Sequence, residues 1–188
     1  LAASTHAGEE APVLSAFAAA RGRRPGLRLI LAPRHPERRR EVARLIAAEG
    51  LAYATRSEGE APGGAPVYLA DTLGEMPLWY AAAGLCFVGG SLVEKGGHTP
   101  FEPARFGCAI LHGPHVANAA EAYARLDAAE AAIPVADAKA LAAALANLKA
   151  PAQARLGERA RETLGAEALG PLVDMLDARL GLAPRALP

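Results

Sequence analysis

The feature that most constrains this chain is the alternation of short apolar runs with longer segments of helical periodicity. The runs are mostly apolar throughout, as expected of strands that are covered on both faces of a parallel sheet. Parallel neighbours need a crossover connection, which the helical segments supply. Seven runs are predicted strands: residues 1–3, 27–32, 51–54, 67–70, 85–88, 109–111 and 133–135. The sequence therefore predicts an α/β domain, a Rossmann-like parallel sheet with helices on both faces.

The segments between the runs have the apolar spacing of amphipathic helices. The predicted helices are residues 9–20, 36–49, 75–83, 100–106, 116–126 and 137–148, followed by C-terminal helices over 151–182. Residues 57–66 are rich in Gly and Pro and are predicted to form a loop. The C-terminal helices break near Gly170 and Pro171, and their last part carries an apolar stripe. That stripe consists of Leu169, Leu172, Val173, Leu176 and Leu180.

Composition bounds the possible functions. With 188 residues the chain is expected to form one domain over its whole length, and its start at Leu1 without Met suggests a piece of a longer protein. A hydrophobic content of 52% excludes intrinsic disorder as the main state. The 20 Lys and Arg residues balance the 20 Asp and Glu residues, which argues against a nucleic-acid partner. Without a long apolar stretch the chain is expected to be soluble. Cys86 and Cys108 lack metal or redox spacing and are expected to be buried.

The strongest motif is a segment with two Gly-Gly pairs between a predicted strand and a predicted helix. It contains Gly89, Gly90, Gly96 and Gly97, and His98, Thr99 and Pro100 follow it. Proline suits the first turn of a helix, so the helix N-terminus is predicted to point into this segment. Free N–H groups and the helix dipole favour an anion there, and glycines let a phosphate approach the main chain. Dinucleotide and P-loop spacings are absent, so a different kind of phosphate site is predicted.

The same residues also permit a purely structural interpretation. Thr99 and Glu102 have the spacing of a capping box, in which Thr99 caps the helix and Glu102 bonds back to the N–H of Thr99. His98 is equally compatible with a loop histidine whose hydrogen bonds are satisfied within the fold.

Arg34 is the second candidate for a ligand contact. It follows the strand at 27–32, and the carboxyl ends of parallel strands are where open α/β sheets bind ligands. Its forked donors suit a phosphate or a carboxylate. The alternative is that Arg34 belongs to the solvated face of the arginine-rich segment at 21–44.

The third candidate is the segment after the strand at 67–70. Asp71 or Thr72 can cap the next helix there, with Glu75 in its first turn. Because this segment, Arg34 and the glycine motif all follow strand ends, the sequence predicts one cleft at this edge of the sheet.

Two histidine-containing segments have weaker signals. Ser4, Thr5 and His6 end the first strand, but the strained serine turn of hydrolases is absent, so capping of the first helix is favoured. His112 and His115 share a turn that supplies no third metal ligand, so no metal site is expected.

Five strings in this order, STHxGEE, LAPRHPER, DTLGEM, FVGGSLVEKGGHTPFEPA and LHGPHVAN, resemble the C-terminal half of bacterial 3-deoxy-D-manno-octulosonic acid (Kdo) transferases over residues 2–118. The resemblance implies a GT-B glycosyltransferase, whose two Rossmann-like halves face each other across a cleft. It implies that this half binds the donor CMP-Kdo, and that the full protein transfers Kdo to a lipid A precursor at the cytoplasmic face of the bacterial inner membrane. It implies no cofactor and no metal.

By the same resemblance, the general base belongs to the N-terminal half, outside this chain. The chain alone is therefore expected to bind the donor without transferring its sugar. The C-terminal helices would normally cross onto the other half, so their apolar stripe is expected to be partly exposed or covered by self-association.

The resemblance also places the donor site on individual residues. These are Pro33, Arg34, Leu73, Gly74, Glu75, Gly96, Gly97, Thr99, Pro100, Phe101 and Glu102. It puts phosphate near Arg34 and the glycine motif, the ribose near Glu102, and the base near Glu75. Leu73, Thr99 and Phe101 replace the family's usual Met, Asn and Leu. The Thr99 change is expected to weaken or rearrange contacts with the nucleotide.

Two other functions are compatible with the residues. A GT-B relative that uses a uridine diphosphate sugar would have to neutralise two phosphates, and Arg34 with one helix dipole is sparse for that charge. A noncatalytic α/β interaction module would use the apolar stripe of the C-terminal helices, with the glycine motif in a structural role.

Overall fold

Parallel strands form the centre of the molecule, as a sheet of seven in which every neighbouring pair is parallel. The structure, a computed structural model, describes residues 1–165 and Arg179. The strands are β1 (Ala2–Thr5), β2 (Leu29–Pro33), β3 (Tyr53–Thr55), β4 (Val67–Leu69), β5 (Leu85–Val88), β6 (Ala109–His112) and β7 (Ala132–Pro134). Their spatial order is β3-β4-β2-β1-β5-β6-β7. The predicted α/β fold with a Rossmann-like parallel sheet is confirmed.

Helices cover both faces of this sheet. They are α1 (Glu10–Arg21), α2 (Arg39–Ala48), α3 (Met76–Ala82), α4 (Phe101–Arg105), α5 (Ala120–Ala128), α6 (Ala138–Asn147) and α7 (Ala150–Gly165). Short 3-10 turns precede α2 and α5, at Pro36–Arg38 and Ala117–Ala119, and a third follows β3 at Arg56–Glu58. Every helix predicted up to residue 148 is present, with shifts of one to four residues at its ends.

Two cores lie on opposite faces of the sheet because successive side chains of a strand point to opposite sides. Helices α1, α2 and α6 pack on one face, while α3, α4, α5 and α7 pack on the other. The first core contains the strand residues Leu31, Leu69, Phe87 and Leu111. The second core contains Tyr68, Cys86, Val88 and Ile110. Both cysteines are fully buried, as predicted. Burial raises the pKa of the Cys108 thiol to about 11 and keeps it protonated.

The start of β2 differs from the prediction and changes the position of Pro33. A turn in which the N–H of Leu27 donates to the carbonyl of Arg24 at 2.9 Å delays the strand to Leu29. The strand then continues through Pro33, which is buried and pairs with Thr5 of β1. Pro33 therefore ends a strand, and Arg34 is the first residue beyond it.

The predicted C-terminal helices begin as α7, which contacts β6, α4 and α5. The predicted break at Gly170 and Pro171 and the apolar stripe from Leu169 to Leu180 lie outside the described residues. Among the described helices, none combines the length and the hydropathy that crossing a bilayer requires.

Helix α7 approaches the main chain of the turn before β6 at Gly157, which is buried. A Cβ added at Gly157 would collide with the backbone carbonyl of Gly107, which cannot move away as a flexible side chain can. We therefore expect Gly157→Ala to lower the free energy of unfolding by about 1–3 kcal/mol.

The matched control is Gly165→Ala in the same helix, where an added Cβ has no atom within 4 Å. Alanine is the better helix former, so this variant should unfold at an equal or higher urea concentration than the parent chain. Equal urea midpoints for the two variants would contradict the close packing of α7 on this turn.

Candidate functional site

The carboxyl ends of β1 and β5 mark the place where the sheet topology reverses. From β1 the chain builds β2, β3 and β4 on one side, and it then returns to build β5, β6 and β7 on the other. In open parallel sheets, ligands bind in the crevice at such a reversal. Residues 6–9 follow β1, and residues 89–97, which we call the glycine segment, follow β5. The candidate site lies between these two stretches.

Glu9 holds the two stretches together. Its side chain is fully buried, and its carboxylate accepts four backbone N–H groups. One oxygen accepts from His6 at 2.9 Å and Gly90 at 2.6 Å, and the other accepts from Ser91 at 3.0 Å and Leu92 at 2.9 Å. A buried carboxylate is costly unless hydrogen bonds satisfy it, and N–H donors to a charged acceptor form strong bonds. Glu9 therefore fixes the path of the chain after β5.

The glycine segment also closes on itself. The N–H of Gly97 donates to the carbonyl of Gly90 at 2.8 Å, and the N–H of His98 donates to the carbonyl of Gly89 at 3.0 Å. The N–H groups of Gly97 and His98 are therefore not available to a phosphate. The two Gly-Gly pairs bond to each other, and the glycines allow the close approach: Gly90 and Gly97 have φ values of +71° and +70°.

Asn118 anchors the far end of the glycine segment. Its side-chain amide donates to the carbonyls of Lys95 at 2.9 Å and Gly97 at 3.2 Å, and its backbone N–H donates to Gly96 at 2.8 Å. Ser91 anchors the near end, where its hydroxyl accepts from the N–H of Gly113 at 2.8 Å. The segment is therefore held from α1, from the end of β6 and from the turn before α5.

His6 and His98 face each other across the crevice. Their Nε2 atoms are 3.0 Å apart, and their ring planes are within 12° of parallel, with centroids 5.1 Å apart. His35 lies edge-on to His6 with the ring centroids 5.7 Å apart. Burial is the main cause that lowers the pKa of both His6 and His98, and nearby positive charge lowers it further. The favoured role of residues 4–6 in capping α1 is wrong, since α1 has no side-chain cap.

Arg34 lies beside this histidine pair. It follows β2, and its N–H donates to the carbonyl of Thr5 at 2.9 Å. Arg34 is exposed, but its positive charge is close enough to lower the pKa of both His6 and His98. The structure therefore brings Arg34 and the end of the glycine segment together, as the sequence analysis predicted from the strand ends.

We call the residues that follow the carboxyl ends of β4, β2, β1 and β5 the rim. The part of the rim after β4 contains Leu73, Gly74 and Glu75. The carboxylate of Glu75 pairs with the guanidinium of Arg56 at 2.6 Å and accepts from the hydroxyl of Thr72. Arg56 is the main cause that lowers the pKa of Glu75 to about 2. The side chain of Glu75 is thus already occupied, while Leu73 is 76% exposed and Gly74 has a φ of +80°.

Asp71 and Thr72 do not cap α3, contrary to one interpretation. Helix α3 has Glu75 at its N-cap position without a side-chain cap bond. Asp71 is buried, and its carboxylate accepts from the N–H of Ser57 at 2.9 Å and from its hydroxyl at 2.6 Å. Asp71 therefore links the rim after β4 to the turn after β3.

Helix α4, after the glycine segment, is shorter than predicted. It contains five residues and has Pro100 at its N-cap position. The capping box does not form: the hydroxyl of Thr99 accepts only a long bond of 3.4 Å from the N–H of Phe101. Glu102 is exposed, and its carboxylate has no hydrogen-bond partner within residues 1–165. The capping interpretation of Glu102 is wrong, and its carboxylate is available to a ligand. The dipole of so short a helix is weaker than the prediction assumed.

Glu10 and Arg38 form an ion pair that the sequence analysis missed. Glu10 is fully buried and binds the guanidinium of Arg38 at 2.7 Å and the hydroxyl of Thr5 at 3.1 Å. The spacing of residues in the sequence could have indicated that Glu9 and Glu10 are buried. They precede Val13 by four and three residues and Phe17 by eight and seven, which places all four on one helical face. Arg38 is therefore a structural residue of the rim.

His112 is likewise structural. It is buried at the end of β6, where one ring nitrogen lies 2.8 Å from the carbonyl of Gly113 and the other 3.1 Å from the carboxylate of Asp127. In residues 1–165, no group of three or more His, Cys, Asp or Glu side chains is arranged to hold a metal ion.

One groove adjoins the predicted site, and further grooves and cavities lie elsewhere. The adjoining groove, of about 530 Å³, is lined by Thr99, Phe101 and Asn118 together with the start of α5. A groove of about 710 Å³ lies at the β3 edge among the arginines of α2. A cavity of about 200 Å³ lies at the amino ends of the strands, against Leu1. Only the first lies at the edge where the topology reverses.

Comparisons with known proteins give consistent results. No protein-family model matches the chain. The chain is 42% identical over 173 residues to the 3-deoxy-D-manno-octulosonic acid transferase of Bordetella pertussis, which covers 88% of this chain and 40% of that relative. It is 42% identical over 127 residues to the enzyme of the same name from Haemophilus influenzae, covering 67% of this chain and 30% of that relative. The chain thus spans well under half the length of these relatives.

A solved structure matches at domain scale. The crystal structure of the C-terminal CMP-Kdo binding domain of WaaA from Acinetobacter baumannii superposes with a TM-score of 0.77 at 36% sequence identity. The match covers 86% of this chain and 86% of that domain.

The role of Glu9 can be tested directly. In Glu9→Gln an NH₂ group replaces one carboxylate oxygen and faces backbone N–H donors, which leaves buried donors without acceptors. We expect the free energy of unfolding, measured in urea, to fall by about 2–3 kcal/mol. The amide protons of Gly90 and Ser91 should exchange with solvent faster in this variant.

The matched control is Glu94→Gln, which makes the same change at an exposed position of the glycine segment. It should unfold like the parent chain. Unchanged exchange at Gly90 and Ser91 in Glu9→Gln would show that Glu9 does not hold the segment.

Proposed function

Because the chain belongs to the 3-deoxy-D-manno-octulosonic acid transferase family, we propose that it is the donor-binding part of such an enzyme and that its ligand is CMP-Kdo. Support for the ligand comes from the Acinetobacter domain of the same fold, which is described as binding CMP-Kdo. On this proposal the chain is the C-terminal half of a GT-B glycosyltransferase, and residues 1–188 form a single domain.

One observation carries the proposal: the rim at the topological reversal gathers positive charge and ring N–H groups beside the glycine segment. Arg34 lies within electrostatic reach of His6 and His98. Neighbouring strands are about 4.8 Å apart, so the ends of β4, β2, β1 and β5 span about 14 Å. An extended nucleotide sugar can therefore lie along the rim and touch each strand end in turn.

The phosphate would bind at the centre of this span, between Arg34 and the end of the glycine segment. Pro33 ends β2 there and fixes where Arg34 leaves the sheet. On the other side, Gly96 and Gly97 lead to Thr99, Pro100 and the short helix α4. Arg34 would neutralise negative charge that grows on the departing CMP, which is how a fixed cation stabilises a leaving group. Because α4 is only five residues long, its dipole would stabilise the phosphate less than predicted, and the charge of Arg34 would supply most of that stabilisation instead.

The ribose and the base would bind on either side of the phosphate. Glu102 supports the ribose assignment, because an exposed carboxylate without a partner can accept hydrogen bonds from two hydroxyls. Phe101 is 42% exposed next to it and offers an apolar surface. For the base, the backbone of Leu73 and Gly74 is the available contact, since Arg56 and Thr72 already occupy the carboxylate of Glu75.

The remaining parts of the reaction belong to the full-length protein. The acceptor would be a lipid A precursor, so the transfer reaction would take place at the cytoplasmic face of the inner membrane. The general base that removes the proton from the acceptor hydroxyl would come from the other half of the enzyme. The present chain would bind the donor and stabilise the leaving group, and alone it would not transfer the sugar.

Nucleotide titration tests the proposed ligand. In isothermal titration calorimetry of the chain, we expect CMP to bind and cytidine, which lacks the phosphate, to bind more than tenfold more weakly, because the phosphate contact is lost. UDP should also bind more weakly than CMP, because Arg34 can neutralise only one of its two phosphates. Preference for UDP would favour a uridine diphosphate sugar as donor, and binding of neither nucleotide would favour an interaction module.

Glu102 provides a test of the ribose contact. Glu102→Ala should weaken CMP binding by about 1–3 kcal/mol if the carboxylate accepts hydrogen bonds from ribose. Its free energy of unfolding should not change, since the carboxylate has no partner in the described structure. Glu49→Ala, at an exposed position after α2, is the control and should keep the parent affinity. An unchanged affinity in Glu102→Ala would remove Glu102 from the site.

A further inference from the structure

One hydrogen bond joins the two rings of the histidine pair, and its proton lies between their Nε2 atoms. With the Nε2 atoms of His6 and His98 3.0 Å apart, one ring must donate its Nε2–H and the other must accept it. In the neutral pair, the donating ring then has an unprotonated Nδ1, and the accepting ring carries its single N–H proton on Nδ1. The pair therefore has one site, the Nδ1 of the donating ring, that can take an additional proton without breaking the bond between the rings.

The main chain holds both histidines in place. The N–H of His6 donates to Glu9 at 2.9 Å, and its carbonyl accepts from the N–H of Glu9 at 3.0 Å. The carbonyl of His98 accepts from the hydroxyl of Tyr123 at 2.8 Å, and its N–H donates to Gly89. The rings pass over Gly90, where an added Cβ would lie 3.4 Å and 3.5 Å from their carbons. Protonation can therefore change without a change in the position of the rings.

Burial and the surrounding positive charges both oppose protonation of this pair. Burial lowers the pKa of both histidines. The charge of Arg34 also lowers the pKa of both histidines, and His35 and Lys95 lower the pKa of His6. Glu9, at the N-cap of α1, raises the pKa of both histidines, and a hydrogen bond with the backbone of Ser4 raises that of His98, but each effect is smaller than that of burial. An anion beside Arg34 would offset the positive charges that oppose protonation.

Resting on the proposed function, we propose that the His6–His98 pair takes up one proton from solvent when the phosphate of the donor nucleotide binds beside Arg34. The added proton goes to the free Nδ1 of the donating ring, and the Nε2–H bond between the rings is kept. The product is an imidazolium–imidazole pair with one positive charge. The pair is thus a proton-linked contact for the phosphate that adds to Arg34.

The first test follows the two rings by NMR. The carbon-bound imidazole protons of the 188-residue chain are recorded between about pH 5 and 8, with and without saturating CMP. His6→Gln and His98→Gln assign the signals. We expect the midpoints of both signals to rise by about one pH unit with CMP, a tenfold gain in proton affinity. The His112 signal, from a histidine bonded within the interior, is the internal control and should not respond to CMP.

Two results would overturn the inference, and they differ in meaning. If CMP binds and the two midpoints do not move, the pair has no part in binding the phosphate, and the proposed function stands. If CMP binds at no pH, the proposed function fails and the inference fails with it.

The second test measures CMP affinity against pH. Because the complex holds one more proton than the free chain, the parent chain should lose affinity as pH rises, by up to about tenfold per unit relative to variants without the pair. CMP has its own phosphate titration, but that contribution is the same for all variants. His6→Gln and His98→Gln should each lack the proton-linked part, and His115→Gln should keep it. Identical pH profiles for all four proteins would contradict the proposal.

Discussion

A buried carboxylate with four backbone donors organises the candidate site. Glu9 has its side chain inside the fold, and its bonds in the described residues all come from main-chain N–H groups. Three of these groups belong to the chain after β5 and one to the chain after β1. The carboxylate therefore joins the two strand ends at which the topology reverses. The path of the glycine segment depends on this anchor, on its own bond between Gly97 and Gly90, and on the bonds from Asn118 and Ser91.

The order of the strands explains why distant parts of the sequence meet. Arg34, His6 and His98 follow β2, β1 and β5, which are adjacent in the sheet. Parallel strands place all their carboxyl ends at one edge, so a charge on one loop acts on its neighbours. Burial is the main cause of the lowered pKa of each histidine, and the charge of Arg34 on the neighbouring loop lowers it further. On the proposed function, this rim binds an anion and later releases it, so it can respond to its ligand.

The fold followed from the sequence because buried parallel strands are almost entirely apolar and their helices have clear apolar faces. All seven strands appear near their predicted positions. The structure places Arg34 near the end of the glycine segment, as the strand ends predicted. Hydrogen-bond partners were the main failure. Whether Glu102 caps α4, for example, depends on where that helix begins, and a difference of one residue changes the answer. Glu9 was missed because an acidic residue in a first helical turn is usually solvated, although its helical phase places it on the buried face.

The central claim is that a phosphate binds where Arg34, the histidine pair and the start of α4 meet. A crystal structure of this chain with CMP tests it most directly. The account predicts the phosphate within hydrogen-bond distance of the Arg34 guanidinium, with the bonds of Glu9 to Gly90, Ser91 and Leu92 intact. A phosphate seated instead among the arginines of α2, or at the opposite edge of the sheet, would contradict it.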